Sequence, residues 1–92
     1  MNKHSGFILK VIKQLEDKFN CIAYGYVEDN NNWWNICVSD YNIYVNEDFK
    51  RFCKNWHIIS RKRGFKILFS FCIPIESKLN DLANNYNLVM NV

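Results

Sequence analysis

The chain has 92 residues, a length that fits one domain with a single hydrophobic core. Apolar residues make up 49% of it and aromatic residues 16%, a composition typical of a packed globule and contrary to intrinsic disorder. The net charge is +3. No stretch approaches about 18 consecutive apolar residues, which excludes a membrane-spanning helix. We therefore predict that residues 1–92 form a single α+β domain that does not act in a membrane.

The N-terminal residues and the cysteines indicate the compartment. Lys10 and Lys13 interrupt the first apolar stretch, so this segment lacks the uncharged core of a signal peptide, and we expect a cytoplasmic protein. The sequence has no Cys-x-x-Cys pair, and each cysteine lies in an apolar run. In a reducing compartment we expect all of them to be buried thiols. They are Cys21, Cys37, Cys53 and Cys72.

The first half of the chain predicts one helix and three strands. Apolar residues recur at 3.6-residue spacing from about Ser5 to Phe19, which predicts an amphipathic helix. Residues 21–27 and 33–39 alternate with period two and are rich in aromatic and β-branched residues, so they predict a two-stranded hairpin. The short segment from Tyr41 to Val45 predicts a third strand.

The second half predicts two helices and two further strands. Asn46 is a good N-cap for a helix that ends at Gly64. Residues 65–73 are apolar at nearly every position, which is typical of a strand that is buried on both faces and lies centrally in a parallel sheet. A third helix is predicted from residue 75 or 76 to Asn85, and a last strand from Leu88 to Val92.

These elements predict the order αβββαβαβ. Helical crossovers join the third strand to the fourth and the fourth to the fifth, so each of these two pairs is expected to be parallel. We therefore predict an α+β fold with a mixed four- to five-stranded sheet and three helices packed mainly on one face.

Positive charge is concentrated in the second predicted helix and just after it. Positions 49–75 contain seven Lys or Arg residues and no Asp or Glu. A basic stripe with helical spacing can contact phosphates of a nucleic acid, although a solvated helix face has the same pattern. The candidate phosphate-binding residues are Lys50, Lys54, His57, Arg61, Lys62, Arg63 and Lys66.

The hairpin predicts an aromatic surface on the sheet face away from the helices. We assume that Trp34, Ile36 and Val38 face the core, together with the small residues of the first strand. The tyrosines that alternate with these small residues then lie on the other face of the sheet. An exposed aromatic face is typical of a protein interface. A register slip of one residue would exchange the two faces, so a covered face is the alternative. The predicted partner-binding residues are Tyr24, Tyr26, Trp33 and Tyr44.

The sequence predicts no catalytic or metal site. The αβββαβ order is also that of the restriction-endonuclease-like fold, but the predicted third strand lacks the carboxylate that a nuclease site requires. Cys53 and His57 are four residues apart on one helix and supply only two of the four ligands that zinc needs. Cys72 precedes a helix N-terminus, a position that lowers the pKa of a thiol, but no His or Arg partner follows it.

We therefore expect a non-enzymatic interaction or regulatory domain without a cofactor. It would act through a protein partner or by self-association, using the aromatic sheet face. One alternative is nucleic-acid binding through the basic second helix. Another is a small enzyme that uses Cys72, or one with a degenerate nuclease-like fold.

Overall fold

The computed structural model describes residues 3–27 and 32–91 of the chain. Within these two ranges the helices are α1 (Ser5–Phe19), α2 (Tyr41–Tyr44), α3 (Glu47–Lys62) and α4 (Glu76–Asn85). The strands are β1 (Ala23–Val27), β2 (Trp33–Val38), β3 (Lys66–Phe71) and β4 (Asn87–Met90). The predicted α+β class is therefore confirmed, and so is a mixed sheet of four strands.

The four described strands form a sheet in the order β3-β2-β1-β4. β1 pairs antiparallel with both β2 and β4, and β2 pairs in parallel with β3. The predicted hairpin is present. The predicted parallel pair of the third and fourth strands is not formed, because the segment 41–45 is not a strand, and β3 pairs in parallel with β2 across α3 instead. The predicted parallel pairing of the last two strands is wrong, because β4 lies beside β1 at the opposite edge of the sheet from β3.

The segment predicted as the third strand is the short helix α2. The Asp40 carboxylate accepts hydrogen bonds from the backbone N–H groups of Asn42 (2.8 Å) and Ile43 (3.4 Å). Such a cap satisfies the free N–H groups of a helical turn and outweighs the strand-like alternation of the sequence. The observed order is therefore αββααβαβ, and the αβββαβ order of the restriction-endonuclease-like fold is not formed.

The larger core lies between the sheet and the helices α1 and α3. The small residue Gly25 lets α1 approach β1, because a Cβ atom at this position would lie 2.8 Å from Cγ2 of Ile8. The β2 residues Trp34, Ile36 and Val38 are fully buried in this core, as the hairpin pattern predicts. The opposing residues from the helices are Ile8, Val11, Ile12, Leu15, Phe49, Phe52, Cys53 and Trp56.

The third long helix, α4, packs on the opposite face of the sheet. Its Leu82 is buried together with Tyr24 and Cys37 in a second, smaller core. The chain leaves β3 at one edge and returns as β4 at the other, so α4 crosses the sheet between them. The prediction that all three helices pack mainly on one face is therefore corrected to two helices on one face and one on the other.

In the two described ranges, no helix combines the length and the apolar character needed to cross a membrane.

Candidate functional site

The four aromatic residues predicted to form one exposed face do not lie together. Tyr24 is fully buried beneath α4, and Tyr26 is partly buried against Tyr86, at 5.7 Å between ring centroids. Tyr44 belongs to α2 and packs toward the larger core. Only Trp33 lies at the surface, 52% exposed. The predicted aromatic face is therefore corrected, because α4 covers the sheet where β1 and β2 carry the two hairpin tyrosines.

A smaller patch remains uncovered near the start of β3. Trp33 and Lys66 are paired across β2 and β3, and the Lys66 Nζ atom lies 4.6 Å from the centroid of the Trp33 ring. Leu68 follows on the same sheet face and is 48% exposed. These three residues form a mixed apolar and basic surface beside the sheet edge.

The seven basic residues are divided among four places. Lys50, Lys54 and His57 line a groove between α3 and β3. Lys66 lies on the other face of the sheet, and Arg63 lies over the Phe7 ring of α1, 4.8 Å from its centroid. Arg61 and Lys62 are exposed in the last turn of α3. The predicted stripe is thus a continuous surface only along the first part of α3.

The groove between α3 and β3 has a volume of about 390 Å³ and a mainly apolar floor with a basic rim. Lys50 lies 3.4 Å from Glu47, and both side chains are exposed, so this ion pair is weak. Among the described side chains, no carboxylate lies within salt-bridge distance of Lys54. The apolar lining residues are Tyr44, Val45, Phe49, Cys53, Leu68 and Phe69.

One side of β3 is not paired with any strand of residues 3–27 and 32–91. The N–H groups of Lys66 and Cys72 donate to the carbonyls of Asn32 (2.9 Å) and Val38 (3.0 Å), so these alternate residues face β2. In a parallel ladder the intervening residues direct their N–H and C=O groups the other way. Ile67, Phe69 and Phe71 therefore point their backbone groups away from the sheet.

His57 lies at the outer side of the β3 edge. Its imidazole lies against the Ile67 backbone, and its ring lies edge-on to Phe69 with 5.6 Å between centroids. Partial burial lowers the pKa of His57, and the nearby Arg61 lowers it further, while the Ile67 backbone raises it. Neutral imidazole is therefore favoured at pH 7, and the charge of the groove comes from its lysines.

The cysteines do not form a reactive centre with the groove. Burial raises the pKa of Cys53 to about 12, so its thiol stays protonated beside the two lysines. Burial is also the main cause that raises the pKa of Cys37 to about 12. Within the described ranges, no three or more His, Cys, Asp or Glu side chains gather as metal ligands. Among the described residues, no third metal-ligating side chain therefore lies beside Cys53 and His57.

Cys72, the residue of the predicted enzyme alternative, lies with the second core. Its described neighbours there include Tyr24 and Cys37, and burial raises the pKa of both of these side chains. The Tyr24 hydroxyl is buried and makes no hydrogen bond of normal geometry within the described part of the chain. These neighbours supply neither an imidazole nor a guanidinium to activate a thiol.

Sequence reasoning missed the edge of β3 as a site. The signal that could have found it is the alternation of Lys66 and Ser70 with apolar residues, since polar side chains on one face contradict burial on both faces. Comparison of the chain with protein-family models, with curated proteins and with solved structures gives no match. The function is therefore inferred from the geometry of the site.

Proposed function

We propose that this domain is a non-enzymatic interaction module that binds a partner protein by accepting an additional strand along β3. The observation that carries the proposal is the unpaired side of β3, which lies directly beside an apolar groove. An edge strand offers a row of free N–H and C=O groups, and extended peptides add to such edges in several classes of binding domain.

The side chains around this edge support the same function. Phe71 and Leu68 of β3 are 38% and 48% exposed, and Tyr41 of α2 packs against Phe71 with 5.5 Å between ring centroids. Val45 extends the exposed apolar surface into the groove. Contiguous apolar surface on a small domain is typical of a binding site. A partner strand would gain backbone hydrogen bonds from the edge and apolar contacts from these residues.

The test uses peptides selected from a random library by their binding to the domain. Phe71→Pro removes one outward N–H group, and proline is tolerated at the exposed side of an edge strand. Phe71→Ala is the matched control, because it loses the same ring but keeps the N–H group. We expect selected peptides to bind Phe71→Ala and to lose most of their affinity for Phe71→Pro, measured by fluorescence polarisation.

Circular dichroism of both variants checks that the fold is retained. Backbone amide shifts on peptide addition provide a second measurement. We expect them to concentrate at Phe69 and Phe71. Selected peptides that bind both variants equally, or that shift amides of β4 instead, would exclude strand addition at β3.

Nucleic-acid binding is a second candidate function, favoured by the contact between Lys66 and the exposed Trp33. An aromatic face next to a cation is the arrangement on which single-stranded bases stack. Titration with single-stranded oligonucleotides at low and high salt tests it, with Trp33→Ala and Lys66→Glu as variants. Absence of binding at low salt would exclude this candidate, since phosphate contacts are strongest there.

A further inference from the structure

We infer that the strand accepted by β3 is acidic, with Asp or Glu at alternate positions on the side that faces α3. This inference rests on the proposed strand addition and specifies the chemistry of the partner. It follows from the position of the basic residues of α3 relative to the free edge.

The first step is that α3 lies along the length of β3. The two elements are joined by a short turn at Gly64, whose φ of +87° reverses the chain, so α3 runs back along the strand. Near the turn His57 lies against the Ile67 backbone, and further along α3 Phe49 packs on Phe69, with 5.9 Å between ring centroids. A strand added outside β3 would therefore lie beneath the groove-lining face of α3.

The second step is a match of spacing. Lys50 and Lys54 are four residues apart on one helix, which separates them by about 6 Å along its axis. Residues that point to the same face of a strand are about 6.6–6.8 Å apart. Two successive side chains on the α3 side of an added strand can therefore reach both lysines at once.

The third step is the charge of the groove. Positions 49–75 hold no Asp or Glu, and the one described carboxylate near Lys50 belongs to the exposed Glu47. Cys53 on the groove wall stays a neutral thiol. The groove thus presents positive charge, and carboxylates of a partner complement it.

The same charges argue against a second copy of the chain as the occupant. Antiparallel pairing of β3 with β3 of another copy, about a two-fold axis perpendicular to the sheet, would keep both α3 helices on the same face of the joined sheet. Lys50 and Lys54 of the two copies would then lie across the junction from each other. Like charges facing each other at an interface oppose association, so the partner is a different, acidic segment.

The experiment uses synthetic peptides of about seven residues that alternate Val with Glu, Gln or Lys. Affinities are measured by fluorescence polarisation at neutral pH and low salt. We expect the Glu peptide to bind about fivefold more tightly than the Gln peptide, since each partly exposed ion pair contributes modestly. We expect the Lys peptide to bind more weakly than both. Raising the salt concentration should remove the advantage of the Glu peptide.

A charge-reversal variant tests whether the groove itself makes the distinction. Lys50→Glu combined with Lys54→Glu should prefer the Lys peptide over the Glu peptide. The matched control is Lys10→Glu combined with Lys13→Glu, which changes the net charge equally on exposed positions of α1. This control should keep the preference of the original protein for the Glu peptide.

The outcomes separate this inference from the proposed function. Glu peptides N-methylated at one alternate set of residues should lose binding, and those methylated at the other set should keep it, because a strand offers only alternate N–H groups to an edge. If Glu and Gln peptides bound equally and methylation still had this alternating effect, the inference of an acidic partner would be overturned and strand addition would be kept. No binding by any peptide would overturn both. If an oligonucleotide bound as tightly as the Glu peptide, the inference of an acidic peptide partner would be overturned in favour of a nucleic acid.

Discussion

His57 connects α3 to the outer side of β3. Its imidazole lies against the Ile67 backbone at the outer side of the strand. Because partial burial lowers its pKa, the ring is neutral there at pH 7. One residue therefore holds the helix against the edge without adding charge to the groove at neutral pH.

The lowered pKa of His57 predicts how stability depends on pH. A group with a lower pKa in the folded state binds its proton more tightly when the chain unfolds, so the unfolded state gains protons first as the pH falls. We therefore expect the free energy of unfolding to decrease as the pH drops through the ordinary histidine value of 6.5. His57→Gln removes the titrating group but keeps a polar side chain and should weaken this dependence, measured by urea unfolding from about pH 7.5 to 5.5.

His4 is a second histidine that contributes to this pH dependence. Its pKa is also lowered, first by burial and then by Lys3 and Arg63, so His4→Gln should remove a further part of the pH dependence. Identical pH dependence of the original protein and His57→Gln would contradict the assignment to His57.

Single residues also show where sequence reasoning succeeds. The small residues of β1 predict close approach of a helix, and Gly25 has the side chain of Ile8 where its own Cβ would lie. Asn20, with φ of 52°, ends α1, and Gly64 ends α3. These positions were predictable because the constraint is local: a left-handed backbone or a missing Cβ admits few residue types.

At the scale of elements, the long helices followed from their periodicity, but α2 and the position of β3 did not. The predicted and observed ends of α1 coincide at Ser5 and Phe19, and α4 begins at Glu76, one of the two predicted start positions, and ends at the predicted Asn85. A four-residue helix has too little periodicity to be distinguished from a short strand. Apolar residues at an edge strand resemble those of a buried strand, because both kinds of strand are rich in the same apolar and aromatic residue types.

The cap of α2 gives a prediction at this scale. Asp40→Ala removes the acceptor for the Asn42 and Ile43 N–H groups and should lower the free energy of unfolding by about 1 kcal/mol. Asp40→Asn keeps a side-chain oxygen and should cost less. Urea unfolding of the three proteins is the measurement. If the two variants were equally stable, the cap would not be what holds this turn.

At the scale of the whole molecule, the sheet separates two cores that are closed by different helices. α1 and α3 cover one face, and α4 alone covers the other. Sequence alone did not predict that Tyr24 would be buried, because this depends on β4 pairing with β1 and not with β3. That choice is made between segments far apart in the chain, which local patterns do not record.

The two cores predict different protection of two buried thiols. Leu82→Ala leaves a cavity under α4 and should destabilise the smaller core, with a cost of about 2–4 kcal/mol for a buried leucine. We expect alkylation of Cys37 at neutral pH to accelerate in this variant more than that of Cys53, which belongs to α3 and faces the larger core. Pulse labelling followed by mass spectrometry measures both. Equal acceleration would mean that the cores open only together.

The pairing of β1 with β4 also has a consequence for the order of folding. It joins segments that are far apart in the chain, such as Tyr24 and Met90, whereas the contacts of β1, β2, α3 and β3 connect segments that follow one another. Closing a long loop costs more entropy than closing a short one and slows folding. The larger core should therefore form first, and φ-values should be higher in β2 and α3 than in α4 and β4. During this interval both edges of a three-stranded sheet, β3 and β1, would be open, and docking of the C-terminal segment would cover the β1 edge with β4 while the β3 edge stays open.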